Sequence, residues 1–182
     1  MNRSDPAARC YAEALLLLAR EKGRLEAVVE DLRAVLGVFH SDRRLWSLFT
    51  TPRIDREEKE AFVRKAFQGR VGPEVAGLLV VMVRKGREAI YDNVVDQFER
   101  FRDLEQRRIH VHLESAREVD PAVRAALEKA VSDASGKTVV LHERIEPSLL
   151  AGLVVRVGDV LVDGSLRSRL RTLGSRLAGD RA

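Results

Sequence analysis

The spacing of the hydrophobic residues changes near Arg108, and this change limits the fold more than any other feature of the sequence. Before that point, apolar residues recur every three to four positions, which is the period of an amphipathic helix. After it, Ile109 and Val111 alternate with polar residues, which is the period of a half-buried strand. We therefore predict an α+β protein, with a helical domain over residues 1–106 and a small α+β domain over residues 107–182.

The first domain is predicted to be a bundle of six helices. Asp5-Pro6 is a typical pair for the start of a helix, and Asp55 with Glu58 three residues later resembles a capping box before the fourth helix. Glycine and proline separate the helices, and each helix carries an apolar stripe. The stripe expected to face the core in the first helix comprises Ala8, Ala12, Leu15, Leu16 and Ala19.

The second domain is predicted to run in the order strand, helix, strand, hairpin, helix. Asp120-Pro121 begins the helix and Gly136 ends it. A β-branched strand follows from Thr138, and the segment from Gly152 onward supplies the hairpin and the last helix. Few strands and a helix between them indicate a small α+β domain.

The segment "GLVVRVGDVLVDGSLRSRL", which begins at Gly152, contains no obvious nucleophile, metal ligand or phosphate-binding loop. Gly158-Asp159 is predicted to form the hairpin turn. Asp163 can cap the final helix, and the Gly-Ser pair after it permits a sharp junction from strand to helix. We interpret the segment as a scaffold motif and not a ligand site, with its structural positions at Gly152, Gly158, Asp159, Asp163, Gly164 and Ser165.

The sequence "SGKT" from Ser135 imitates the end of a phosphate-binding loop. Such a loop needs a glycine where this chain has Val131, and it follows a strand and opens a helix. Here the segment closes a helix and opens a strand, so Gly136 is interpreted as a left-handed helix C-cap. The isolated chain is therefore expected to hydrolyse no nucleotide and to need no cofactor or metal.

Two histidines share one face of the first predicted strand. His110 and His112 are two residues apart, and Glu114 extends the row. A zinc pair at this spacing is feasible, but a third and a fourth ligand must come from elsewhere. The sequence does not place His40 or His142 there, so surface histidines are the favoured interpretation. No catalytic, cofactor or metal site is predicted.

The composition fits a globular chain with a strongly charged surface. Hydrophobic residues make up 45% and charged residues 33%, while aromatic residues at 5% leave few platforms for stacked bases. A net charge of +4, from 32 basic and 28 acidic residues, is a weak signal for nucleic-acid binding. The single Cys10 excludes an internal disulfide framework, and no apolar run approaches the roughly 20 residues that span a bilayer.

Two of the predicted helices are apolar on more than one face. Either these helices are buried on all sides, or they share a groove whose apolar wall accepts a partner helix. Ala14 and Gly77 are small, as a close approach between helices requires. The candidate groove residues are Tyr11, Ala14 and Leu18 in the first helix and Gly77, Leu78 and Val81 in the fifth.

Four segments resemble one known family: "RCYAEAL" near the start, "LLVVMVRKGRE" from Leu78, "IHVHLESA" from Ile109 and "EPSLLAGLVVRVGDVLVDGSLRSRL" from Glu146. They resemble the delta subunit of F-type ATP synthases, whose mitochondrial equivalent is the oligomycin-sensitivity-conferring protein. The resemblance covers nearly the whole chain in the same order. One departure is Ala151, where many relatives carry glycine.

The resemblance implies a non-catalytic stator subunit that joins the catalytic head to the peripheral stalk. In that family the helical domain takes the N-terminal helix of an alpha subunit into a groove between its first and fifth helices, and the C-terminal domain meets the ends of the b subunits. The resemblance also implies one copy per complex, attached through the complex to the cytoplasmic face of the bacterial plasma membrane. Neither nucleic-acid binding nor direct insertion into the membrane is expected.

The main alternative is a basic RNA-binding module. It is favoured by the arginines of the last predicted helix, which are Arg167, Arg169, Arg171 and Arg176. Against it, the predicted strands lack exposed aromatic residues on which single-stranded bases stack. A small enzyme is a third hypothesis, supported only by the "SGKT" sequence.

Overall fold

A computed structural model describes residues 5–179, with the side chains of the last helix described as far as Thr172. The predicted α+β class is confirmed. The chain divides into two compact units, one that ends at Leu104 and one that begins at Glu105. The division falls two residues before the boundary expected from the hydrophobic spacing.

The first unit is built from helices. A short 3-10 turn, Glu88–Ile90, precedes the last of them. The α-helices are α1 (Pro6–Glu21), α2 (Leu25–Ser41), α3 (Arg43–Thr50), α4 (Arg56–Phe67), α5 (Pro73–Lys85) and α6 (Tyr91–Glu105).

Local chemistry sets where these helices begin, with one departure from the sequence prediction. Asp5 caps α1 as expected, because its Oδ1 accepts a 2.9 Å hydrogen bond from the backbone N–H of Ala7. The capping box predicted at α4 is wrong, since the side chain of Asp55 accepts no capping hydrogen bond. Glu57 and Glu58 instead place negative charge in the first turn of α4, where it complements the helix dipole.

An aromatic cluster lies at the centre of the first unit's core. The ring of Phe39 stacks on Phe49 at 4.7 Å and meets Tyr91 edge-on at 5.8 Å. The buried hydroxyl of Tyr91 donates a 3.1 Å hydrogen bond to the carbonyl of Leu32, so this polar atom is satisfied inside the core. The predicted stripe of α1 faces this core: Ala8, Ala12, Leu15 and Ala19 are buried, and Leu16 packs against it half-buried.

The second unit contains a four-stranded mixed sheet with the strand order β2-β1-β3-β4. β1 and β2 are parallel, and β3 is antiparallel to both β1 and β4. A 3-10 turn at Pro147–Leu149 leads into β3. The elements are β1 (Arg108–Ser115), α7 (Pro121–Ser135), β2 (Thr138–Ile145), β3 (Leu153–Val157), β4 (Val160–Asp163) and α8 (Leu166–Gly179).

The two faces of this sheet differ in polarity, as the alternation in β1 predicts. Val111 and Leu113 are buried on one face. Helix α7 lies on that side, because Arg124 forms an ion pair with Glu143, which is the register partner of Leu113. The opposite face carries the histidines of β1.

Candidate partner-binding surfaces

Helices α1 and α5 pack against each other, and both leave apolar residues exposed beyond the core. Lys22 Nζ lies 3.1 Å from Glu74 Oε1, which places the end of α1 beside the start of α5. Leu18 and Gly77 lie about one helical turn from that ion pair along their helices. Leu18 is 46% exposed and Val81 is 43% exposed. The two helices therefore present an apolar surface to solvent.

The six residues predicted to line a groove fall into two groups. The exposed group is Ala14, Leu18, Gly77 and Val81. Tyr11 is half-buried against the core, and Leu78 is only 8% exposed and belongs to the core. The side chain of Leu78 is therefore not part of the exposed surface. Leu17, at 64% exposed, extends that surface, so α1 is not a helix buried on all sides.

Gly77 has no role in the chain's own packing. A Cβ atom at this position would meet no other atom within 4 Å. Glycine in an exposed helix interior costs about 1 kcal/mol of stability relative to alanine. The close approach of another backbone is a physical reason to keep glycine here.

Ion pairs fix the end of α1 to the start of α5. Glu74 is buried, and its oxygens lie 3.1 Å from Lys22 Nζ and 3.3 Å from Arg24 Nη1. The nearby backbone amide of Glu74 itself, followed by Lys22, favours the charged carboxylate and lowers the pKa of Glu74, although burial opposes this. The N–H of Gly72 donates a 2.8 Å hydrogen bond to Asp31 Oδ2 on α2. The two walls of the apolar surface are therefore held in a defined position.

Two further charge networks hold α4 in place, and the sequence analysis missed both. Lys59 Nζ lies 2.8 Å from Glu88 Oε1, and both side chains are buried. Glu60 contacts Arg84 of α5 at 2.7 Å and Arg64 at 2.8 Å. The hydrogen bonds from Arg84 and then Arg64 lower the pKa of Glu60 to about 2. The i,i+4 spacing of Glu60 and Arg64 could have indicated their ion pair in the sequence. Lys59 and Glu88 are 29 residues apart, so no local pattern indicates theirs.

The second unit exposes apolar residues along β4. Val160, Leu161 and Val162 are 61–63% exposed in this edge strand, and helix α7 packs against β2 at the opposite edge. Leu166 and Leu170 of α8 are 42% and 52% exposed. An edge strand with large apolar side chains is a typical interaction site.

Basic residues follow this apolar strand in the chain. Arg167, Arg169 and Arg171 are exposed on α8. The side chain of Arg176, which the RNA-binding hypothesis also used, lies outside the described residues.

The scaffold motif folds around a close backbone contact. Gly158-Asp159 form the two-residue turn between β3 and β4. Gly152 has a φ of +91°, and a Cβ atom there would lie 2.5 Å from the carbonyl oxygen of Gly164. A side chain at Gly152 would therefore collide with the junction between β4 and α8.

The cap of α8 differs from the prediction. The hydroxyl of Ser165, which is 1% exposed, accepts a 3.2 Å hydrogen bond from the N–H of Ser168, so Ser165 is the N-cap residue. Asp163 Oδ1 accepts from the N–H of Ser165 at 2.9 Å and supports the turn before the helix. The helix is therefore capped by Ser165, two residues after Asp163, which the sequence analysis had predicted as the cap.

The "SGKT" segment closes α7, as predicted. Gly136 has φ +65° and ψ 23°, and its N–H donates to the carbonyl of Ser132. This is a left-handed C-cap, which glycine adopts without steric cost. Because β2 begins at Thr138, no helix N-terminus follows the segment to bind a phosphate.

The sheet brings His142 beside His110 and His112, which are about 30 residues earlier in the sequence. His110 Nδ1 lies 2.7 Å from His142 Nε2, and the rings of His112 and His142 stack at 5.0 Å. Partial burial and then the charge of Arg156 lower the pKa of His112. The sequence could not place His142 here, because its neighbours depend on the register of β1 and β2.

Across residues 5–179, no helix combines the length and the hydropathy that a membrane-spanning segment requires.

The described residues form a helical unit and an α+β unit that both expose apolar surfaces, and comparison with known proteins identifies the family. The family model described as ATP synthase delta (OSCP) subunit matches residues 7–177. The ATP synthase subunit delta of Gemmatimonas aurantiaca is 36% identical over 180 residues, which cover 99% of this chain and 97% of that protein. That of Lachnoclostridium phytofermentans is 35% identical over 173 residues, 93% of each chain.

A solved structure shares the fold. A chain in the cryo-EM structure of the Toxoplasma gondii mitochondrial ATP synthase hexamer superimposes with a TM-score of 0.64 and 21% identity, covering 96% of this chain and 98% of that one. The chain belongs to the ATP synthase delta (OSCP) subunit family. Members of this family are structural subunits and not catalytic ones, and their role is that of a stator.

Proposed function

We propose that this chain ties the catalytic head of an F-type ATP synthase to its peripheral stalk. The helical unit, a six-helix bundle over residues 1–106, binds the N-terminal helix of an alpha subunit. The α+β unit, residues 107–182, binds the ends of the b subunits. One copy serves each complex, on the cytoplasmic face of the bacterial plasma membrane. The observation that carries this proposal is the exposed apolar surface shared by α1 and α5.

The surface between α1 and α5 suits an amphipathic helix. Leu17, Leu18 and Val81 offer apolar side chains at 43–64% exposure, while Ala14 and Gly77 leave room for a close backbone. Tyr11 and Leu78 form the more deeply buried part of the same region. Helix-in-groove recognition uses this combination of apolar anchors and small residues.

The stator role explains why apolar contact is favoured here. Torque from the rotor would turn the catalytic head as well, unless a tether resists it. Surface ion pairs contribute only about 0–1 kcal/mol each. Apolar burial contributes about 25 cal/mol per Å² and is not weakened by salt screening. A mostly apolar interface therefore suits a subunit that must stay bound under load.

The exposed strand β4 supports a stalk contact in the second unit. Val160 and Val162 on one face of β4, and Leu161 on the other, are all exposed apolar side chains. The arginines of α8 lie on the element that directly follows β4 in the chain, where they can attract acidic residues of a partner. We place the binding site for the b subunits on β4 and the first turns of α8.

The head contact is tested with a peptide of the alpha subunit's N-terminus. Ala14→Asp places a charge without a partner in the apolar interface, at a cost of several kcal/mol. Since each 1.4 kcal/mol or so is tenfold in affinity, binding should weaken by orders of magnitude. Ala34→Asp is the matched control, because Ala34 is also exposed in mid-helix but lies on α2.

Calorimetric titration and a thermal melt of each variant separate the outcomes. The proposal expects weak peptide binding by Ala14→Asp alone, with melting temperatures close to that of the wild type. Undiminished binding would remove Ala14 from the interface. A collapsed melting transition would show that Ala14 supports the core.

The stalk contact is tested by Val162→Asp against a soluble fragment of the b subunits. A charge on β4 should reduce capture of the fragment, while Val38→Asp should not, because Val38 is 41% exposed on α2 of the other unit. Equal capture by both variants would exclude β4 as the stalk site.

A further inference from the structure

The solvent-facing side of β1 and β2 carries a cluster of imidazoles that the stator role does not use. His110 and His112 are two residues apart on β1, so their side chains point to the same face. His142 is the register partner of His112 on the parallel strand β2. The register of the sheet therefore gathers three histidines on one exposed face.

Two ring nitrogens in this cluster face each other at hydrogen-bond distance. His110 Nδ1 and His142 Nε2 are 2.7 Å apart, and the two rings are inclined by only 17°. At this distance the two nitrogens share one hydrogen. A metal ion between the rings would displace this hydrogen, and each neutral ring would then carry its proton on the far nitrogen.

The pair would have to open slightly to act as a metal chelate. Imidazole nitrogens bind zinc at about 2.0–2.1 Å, so two ligands in tetrahedral geometry lie about 3.4 Å apart. Rotation of the exposed ring of His142 and of the half-buried ring of His110 would cover the difference from 2.7 Å. Imidazole is a suitable ligand for zinc, copper and nickel.

We propose that His110 and His142 form a surface site for a divalent transition-metal ion that joins β1 to β2. Among the described residues, no three His, Cys, Asp or Glu side chains are already arranged to hold a metal, so the site starts as a two-histidine chelate completed by water. His112 lies beside His142, with the ring centroids 5.0 Å apart. The sequence predicts no metal site because His142 could not be placed before the sheet was known.

The charges around the pair set how tightly it binds a cation. Glu114 follows on the same face of β1 and favours a positive ion. Arg156, the register partner of His112 on β3, opposes it. A bound ion would cross-link β1 and β2, which are connected in the chain through α7. Because it would bind only the folded state, it would also stabilise the second unit.

The test uses the full chain and zinc chloride as the probe. Isothermal titration should give one site on the wild type, and copper(II) in its place should show nitrogen ligands by electron paramagnetic resonance. The key variant is His110→Ala combined with His142→Ala. Losing a partner of a metal ligand already costs about 10–100-fold in metal affinity, so losing two ligands should cost at least that much.

The matched control is His40→Ala, which removes the histidine of α2 that lies 3.6 Å from Asp92. The proposal expects this variant to keep wild-type zinc affinity. Melts without metal should nearly coincide for all variants, because no altered side chain belongs to the buried core: His40 and His142 are exposed and His110 is half-buried. Equal affinity of the double variant and the wild type, or a loss of binding in His40→Ala alone, would overturn the site.

Discussion

At the scale of single residues, the neighbours of Glu60 strongly shift the titration of its carboxylate. Arg84 and then Arg64 lower its pKa from 4.5 to about 2. A lowered pKa in the folded state contributes stability above the ordinary pKa, and that contribution disappears as the pH falls from about 4.5 to about 2. Glu60→Gln should therefore lose stability at neutral pH and match the wild type near pH 2.

Urea denaturation at several pH values measures this effect. The difference in the free energy of unfolding between wild type and Glu60→Gln should shrink steadily below pH 4.5. Glu30→Gln is the control, since Glu30 is an exposed carboxylate on α2. Parallel pH profiles for wild type and Glu60→Gln would show that the contacts with Arg84 and Arg64 do not form in solution.

The buried pair of Lys59 and Glu88 makes a second prediction at this scale. Lys59→Met leaves the carboxylate of Glu88 buried without its partner, and breaking a buried pair costs about 3–5 kcal/mol. Replacing Glu88 by Met as well should restore much of that loss, because no charge is then left unpaired. Chemical denaturation of the single and double variants gives both values.

An exposed ion pair provides the comparison for this prediction. Arg9 and Glu13 are more than half exposed on α1, so Arg9→Ala should change the free energy of unfolding by about 1 kcal/mol or less. If Lys59→Met lowers the free energy of unfolding as little as Arg9→Ala does, the buried pair does not persist in solution.

At the scale of elements, substitutions of Gly77 inside α5 distinguish effects on the stability of the chain from effects on partner binding. Gly77→Ala should raise the free energy of unfolding by about 1 kcal/mol, because alanine is the better helix former and the space is open. Gly37→Ala in α2 should do the same, since it is also exposed with nothing within 4 Å.

A larger side chain then distinguishes the two helices. Gly77→Leu should reduce binding of the alpha peptide, while Gly37→Leu should leave it unchanged, because α5 faces the proposed partner and α2 does not. Thermal melts and peptide titrations of the four variants measure both effects. Equal peptide binding by Gly77→Leu and Gly37→Leu would mean that no partner helix approaches Gly77.

At the scale of the whole molecule, the division after Leu104 predicts that the helical unit folds alone. Its core is formed within residues 8–98, so the fragment 1–104 retains it. Circular dichroism of this fragment should show a helical spectrum and one cooperative melting transition. A spectrum of disordered chain, or melting without a transition, would contradict the division.

The sequence by itself predicted much of the fold, because hydrophobic periodicity and turn residues can be read directly from the order of the residues. The core stripe of α1 follows from helical spacing, and the C-cap at Gly136 follows from the order of helix, glycine and strand. The family resemblance also came from segments that are continuous in sequence. Helix caps were less predictable: Asp55 makes no capping hydrogen bond, and Ser165 caps α8 in place of Asp163. Which residue caps a helix depends on the backbone conformation just before the helix.

Only the tertiary structure decided which side chains meet across elements and which remain exposed. Leu78 and Val81 are three residues apart on one apolar helix, yet the packing of α5 buries the first and exposes the second. Lys59 meets Glu88, and His110 meets His142, across 29 and 32 residues. Such contacts depend on helix rotation and strand register. Both are set by the packing of the whole unit, and no local period in the sequence records them.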